Sequence, residues 1–234
     1  MFPGFGFDPT FILLLPAMAF AMWAQWKVQA TFNEYSRVRS ASGRVGRQMA
    51  LDIMARNGVT GVQVEPVAGV LSDHYDPGAR KVRLSEPNFD GASVASIAVA
   101  AHEVGHVLQH HEGYLPLQIR SGLAPVVGFA SMAATPLFFI GLFFMRGMPF
   151  GGFLMDLGIV FFAGAVLFHL ITLPVEFDAS KRALVQLSDS GALREHEIAG
   201  AKKVLDAAAL TYVAAAAMAA LQLVRLLVLR NDRR

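Results

Sequence analysis

The chain has 234 residues, 54% of them hydrophobic and only 16% charged, with a net charge of +2 and no cysteine. A soluble domain carries about 25% charged residues, so the missing charge must be made up by long apolar runs. The weak net charge argues against a nucleic-acid partner, and the lack of cysteine excludes disulfides, thiolate zinc knuckles and thiol nucleophiles. Any metal is left to His, Asp or Glu.

Residues 1–26 hold the first candidate membrane span, roughly Phe11 to Trp26. Asp8 is placed to cap it, Pro9 is at the first helical position, and Trp23 and Trp26 sit near the far interface. Ala17-Met18-Ala19 could imitate a signal-peptidase site, but no basic residue precedes the apolar run, so the segment reads as a retained anchor.

Residues 27–122 read as a small α+β unit. Thr31 to Arg39 is helical in pattern. Ser42 is expected to cap a second helix ending at Arg56, where Asn57-Gly58 is a stop signal. Val62 and Val64 alternate with Gln63 and Glu65, as in a half-buried strand. Val70 to Tyr75 and Arg80 to Leu84 flank Asp76-Pro77-Gly78, which places Pro and Gly as a type II turn requires and predicts a hairpin. Ser93 to Glu112 is a long helix stopped by Gly113.

Residues 123–173 form a predicted transmembrane hairpin, with spans from about Leu123 to Met145 and Phe150 to Leu173 around a turn containing Arg146. Asp156 and His169 are ionisable groups near the two ends of the third span. Residues 174–203 return to water, with Asp178 to Leu187 helical. Residues 204–234 comprise an Ala-rich fourth span, Val204 to Leu229, and a basic tail. Lys and Arg crowd the segment after the first span and the one between the third and fourth. The positive-inside rule therefore puts both on the cytoplasmic side, with Arg230, Arg233 and Arg234 as the discordant feature. The expected fold is a mainly α multi-pass membrane protein of about four transmembrane helices, carrying a small α+β zincin-like catalytic unit on its cytoplasmic side.

The helix starting at Ser93 contains His102-Glu103-Val104-Gly105-His106. Histidines four apart project from one helical face and can share one ion, here Zn2+. Glu103 is turned about 100° from His102, beside the metal instead of on it, where it can take a proton as water attacks a carbonyl. A bare match of this spacing is weak. Apolar Ile97, Val99, Val104 and Val107 around it supply the setting a buried metal helix needs. Against the zinc reading stands a merely structural pair of histidines.

Catalytic zinc usually takes three protein ligands and one water. Glu112 stands where a metzincin would have its third histidine, and His110 is about 12 Å along the helix axis from His102, too far to share the ion. His110 and His111 read as a solvated helix end. Glu176 is the better candidate, since it follows the third span on the side predicted to hold His102; His74 is the alternative. His74, Tyr75 and Arg182 are candidates for stabilising an oxyanion. The strand near Arg80 to Leu84 could offer its edge to an extended peptide.

Three blocks carry a resemblance: Ser72-Asp73-His74-Tyr75-Asp76-Pro77, Ala101-His102-Glu103-Val104-Gly105-His106, and Leu173-Pro174-Val175-Glu176-Phe177-Asp178-Ala179-Ser180. In these the chain resembles the YugP-like neutral zinc metallopeptidases of bacterial membranes and, more distantly, integral-membrane zinc proteases of the CAAX and heat-shock classes. The resemblance implies a zinc peptidase of the bacterial inner membrane acting on peptide or protein substrates. His102, His106 and Glu176 would be its metal ligands and Glu103 its catalytic base. In the distant class an aspartate follows the ligand glutamate by four residues. Here that position is Ser180, which leaves Asp178 and Asp73 as candidate partners for a zinc-binding histidine. A non-proteolytic membrane scaffold with a structural zinc site is the competing function, and a metal transporter ranks behind it because the histidines lie outside the apolar spans.

Overall fold

The structure is a computed structural model that describes residues 9–144 and 148–231. The expected cap Asp8, the turn residue Arg146, and Arg233 and Arg234 of the tail lie outside the described residues. A 3-10 turn, Pro9–Leu14, leads into α1 (Leu15–Ser36). There follow α2 (Gly46–Arg56), β1 (Gln63–Val67), β2 (His74–Asp76), β3 (Lys81–Ser85), α3 (Glu86–Phe89), α4 (Val94–His111), α5 (Leu115–Phe143), α6 (Pro149–Asp189) and α7 (Glu195–Asn231). Four helical segments, Pro9–Ser36, Leu115–Phe143, Pro149–Asp189 and Glu195–Asn231, are long and apolar enough to cross a membrane.

The chain divides into two compact units. One comprises Met1–Trp23, Arg120–Ile171 and Tyr212–Arg234; the other comprises Ala24–Ile119 and Thr172–Thr211. In the first, glycines let helices approach closely. A Cβ on Gly158 would press on the backbone of Ala134 and Phe138, and one on Gly141 on Met155. Phe138, Leu142, Met155 and Leu226 fill the contact. Arg230 donates to both carboxylate oxygens of Asp156, at 2.8 and 3.1 Å, so this tail arginine carries its own counter-charge. Arg225 reaches Thr10 and lies over the Phe11 ring. His169 is half-buried, edge-on to Phe168.

The second unit is built on α4. Apolar on nearly every face, this helix must be covered all round. Met49, Ala50 and Ile53 of α2, Val82 and Leu84 of β3, Ala183 and Leu187 of α6, and Ala201 and Val204 of α7 share its core. Its ends are where local chemistry predicts. The Ser93 hydroxyl accepts from Ser96 N at 3.1 Å, and Gly113 adopts a positive φ of 70° just past the last turn.

Several expectations need correction. The stretch Thr31 to Arg39 is helical only as far as Ser36, where α1, unbroken from Leu15, ends. Ser42 does not cap α2, which starts four residues later. Gly43 turns the chain with φ 66°, and the Ser42 hydroxyl pairs with Ser40 instead. The hairpin forms, but only His74 to Asp76 of its first arm is strand, since Leu71 takes a positive φ of 56° and breaks the extended run. Its turn is not type II: the left-handed step falls at Arg80, φ 54°, and not at Gly78, while Asp76 Oδ1 accepts from Ala79 N at 2.9 Å. Finally, β3 is the middle strand. β1 pairs parallel with it (Gln63 opposite Lys81) and β2 antiparallel (Tyr75 opposite Val82), so both edges of Lys81 to Arg83 are occupied. That strand has no free edge for a peptide.

Candidate metal centre

His102 and His106 lie one helical turn apart on α4, with ring centroids 4.8 Å apart and planes nearly perpendicular at 82°. His106 and Glu103 are buried, and His102 is the most open of the three, with 14% of its side chain exposed.

The carboxylate that meets them comes from α6. The sequence puts the end of the third span near Leu173 and a helix at Asp178 to Leu187; in the structure both belong to α6, which continues through Pro174 to Asp189. Val175, Ala179, Ala183 and Leu187 recur every four residues and are fully or almost fully buried. Packing of that stripe outweighs the hydrogen bond that proline cannot donate. Glu176, one position on from the stripe, is thereby turned toward α4. Gly105 completes the approach, because a Cβ there would collide with the Ala179 carbonyl oxygen.

Glu176 Oε2 lies 3.3 Å from His102 Nε2 and 3.6 Å from His106 Nε2, and the carboxyl is 2% exposed. One ligand atom from each of the three residues lies within 4.8 Å of the others. Bond lengths of about 2.0–2.1 Å to nitrogen and oxygen put the edges of a zinc tetrahedron at about 3.3 Å. The two oxygen–nitrogen separations are close to that edge, and two imidazole nitrogens with one carboxylate oxygen are the donor set typical of a hydrolytic zinc site with one position left for water.

The electrostatics suit this chemistry. Burial raises the Glu103 pKa; His102 and His106 oppose that, and Glu176 and Asp73 add to it. Burial favours the neutral ring of His106, but Glu176, with Glu103 and Gln109 adding to it, outweighs burial and raises that pKa overall.

Around these groups lies a second ring of hydrogen bonds. Ser180, where the distant class has aspartate, places its hydroxyl 3.1 Å from His102 Nδ1. Gln109 Oε1 lies 3.0 Å from His106 Nδ1, while Gln109 Nε2 donates to Asp178 Oδ2 at 2.9 Å. Of the two carboxylates expected as histidine partners, Asp178 therefore reaches His106 only through Gln109. Asp73 serves elsewhere, accepting from Ser85 N, Ser85 Oγ and Asn88 Nδ2. Gln109 is not among the residues the sequence singles out, although a polar side chain three residues after His106 on a largely buried helix was the available signal.

Other candidates are committed to different bonds. His74 Nδ1 faces the Ser72 carbonyl and its Nε2 faces Arg83. Arg182 donates to Asp178 at 2.5 Å and to Glu112 at 2.6 Å. The Tyr75 hydroxyl lies 2.8 Å from His110 Nδ1, and both line a cavity of about 170 Å³ with Val59, Val62, Arg80, Val107 and His111. His110 is exposed, yet it is tied to the sheet instead of being simply solvated.

Residues 10–231 match a family described as "putative neutral zinc metallopeptidase". The chain is 50% identical over 214 residues to a Bacillus subtilis (strain 168) protein named "Putative membrane protease YugP", covering 91% of this chain and 92% of that one. No solved structure matches it.

Proposed function

Because the chain belongs to the neutral zinc metallopeptidase family, whose cofactor is zinc, we propose that it is a membrane-embedded zinc endopeptidase with Glu103 as general base. His102, His106 and Glu176 are the ligands in this reading, and its substrates are membrane or membrane-proximal polypeptides. The observation that carries it is the convergence of Glu176 Oε2 on the two Nε2 atoms, with a buried carboxylate, Glu103, next in sequence to one of them.

When bound, zinc supplies Lewis acidity, polarising a scissile carbonyl and making water acidic enough to lose a proton near neutral pH. The residues do the rest. Glu103 receives that proton as the water oxygen bonds to the carbonyl carbon, and burial, which favours its neutral form, helps it hold the proton. Glu103 then passes the proton to the peptide nitrogen as the C–N bond breaks, so the amine leaves neutral. A purely structural site has no need of a base in this position, which weighs against the scaffold alternative. The relative's name, membrane protease, supports a proteolytic role. We place the protein in the bacterial inner membrane with its metal centre facing the cytoplasm, on the strength of the Lys and Arg distribution.

The test is metal analysis of the purified full-length protein in detergent, together with cleavage of an unfolded polypeptide such as casein. Wild type should hold one zinc and cleave. Glu103→Gln should keep the zinc and lose cleavage by a factor of about 10² or more. Full activity in Glu103→Gln would overturn the mechanism.

A further inference from the structure

Gln109 is fully buried and makes three polar contacts whose directions can be worked out from each other. Its Nε2 lies 2.8 Å from the Val175 carbonyl oxygen and 2.9 Å from Asp178 Oδ2. A carbonyl only accepts, and so does an ionised carboxylate, which is how Arg182 Nε at 2.5 Å holds Asp178. Turning the amide over would set its oxygen against two oxygens. The end facing His106 is therefore the acceptor Oε1, and at 3.0 Å it requires a hydrogen on His106 Nδ1. A neutral imidazole with hydrogen on Nδ1 has its lone pair on Nε2, the atom that faces Glu176.

We infer that Gln109 is a positioning residue for the zinc site: anchored through Val175 and Asp178 to the helix that carries Glu176, it holds His106 in the Nδ1–H tautomer and keeps Nε2 free for the metal. The inference rests on the proposed ligand set. His102 has no equivalent constraint, because its Nδ1 partner is the Ser180 hydroxyl, which can donate or accept. The two histidines thus differ. One has its tautomer imposed by a buried amide, and the other is free to adjust. Partners of this kind typically change metal affinity by about 10–100-fold when removed.

The experiment measures the zinc dissociation constant of the full chain in detergent by competition with a chromogenic chelator, with the visible spectrum of the Co2+ form and the metal-free thermal midpoint recorded alongside. Gln109→Met, of similar length but without polar atoms, should weaken zinc by about 10–100-fold and alter the Co2+ spectrum. Gln109→Glu still offers an oxygen to His106 Nδ1, and its other oxygen, set against Val175 and Asp178, must carry a proton to donate there; it should bind zinc more tightly than Gln109→Met despite a lower metal-free midpoint. A purely structural role predicts the reverse order, since the lost anchor to Val175 and Asp178 would make Gln109→Glu the worse variant. Wild-type affinity in Gln109→Met, or weaker binding by Gln109→Glu than by Gln109→Met, overturns the inference. Failure of the ligand set looks different: His102→Ala would then still bind one zinc.

Discussion

Gly105 lies against the backbone of Ala179 so closely that no Cβ fits between them. This one contact lets α4 and α6 approach until Glu176 and Ser180 both reach His102. Gly105→Ala should therefore push the helices apart, costing about 1–3 kcal/mol and weakening zinc binding in the same variant. Gly122→Ala has nothing within 4 Å and should leave both properties unchanged or stabilise slightly. Thermal midpoints and zinc stoichiometry of the two variants would decide it, and equal behaviour would remove Gly105 from this role.

Removing a ligand should separate metal loss from unfolding. His102→Ala and Glu176→Gln are each expected to lose stoichiometric zinc and all cleavage. His74→Ala, whose ring is engaged by Ser72 and Arg83, should retain zinc. Elemental analysis after gel filtration is the readout. Treating wild type with a chelator should abolish cleavage, and restoring zinc should recover it.

The sheet should weaken in acid. The Glu65 pKa is lowered by its bonds to Lys81 and Arg83, and that of Asp76 by the Ala79 backbone N–H and by Arg83. A carboxyl whose folded pKa is depressed contributes stability above its unfolded value, about 4, and loses that contribution as pH falls through the folded value. Glu65→Gln should thus have a lower thermal midpoint than wild type near neutral pH, and the gap should close in acid. A gap that stays constant across the titration would exclude the ion pairs as its source.

Orientation can be read with single cysteines, because the chain has none of its own. Ser42→Cys and Ser190→Cys, both in the unit that holds the candidate centre, should resist an impermeant thiol reagent in intact cells and react after lysis. Labelling from outside would reverse the proposed topology.

The sequence by itself determined whatever depends on neighbours along the chain. A helix advances about 1.5 Å and 100° per residue, so His102 and His106 had to share a face, with Glu103 turned aside, wherever α4 came to rest. Ser93 and Gly113 marked its ends for equally local reasons, and uncharged length alone identified four helices able to cross a bilayer. Only the tertiary structure decided what depends on approach between distant segments. It showed that β1 takes the far edge of β3, that α6 runs on through Pro174, and that Gln109 and not a carboxylate meets His106 at Nδ1. Each of these is settled by burial against a partner far away in sequence: the stripe Val175, Ala179, Ala183 and Leu187 on the core, and the bare backbone of Gly105 on Ala179. A local pattern carries no record of that partner, because the free energy that selects it is released only when the two surfaces meet and exclude water.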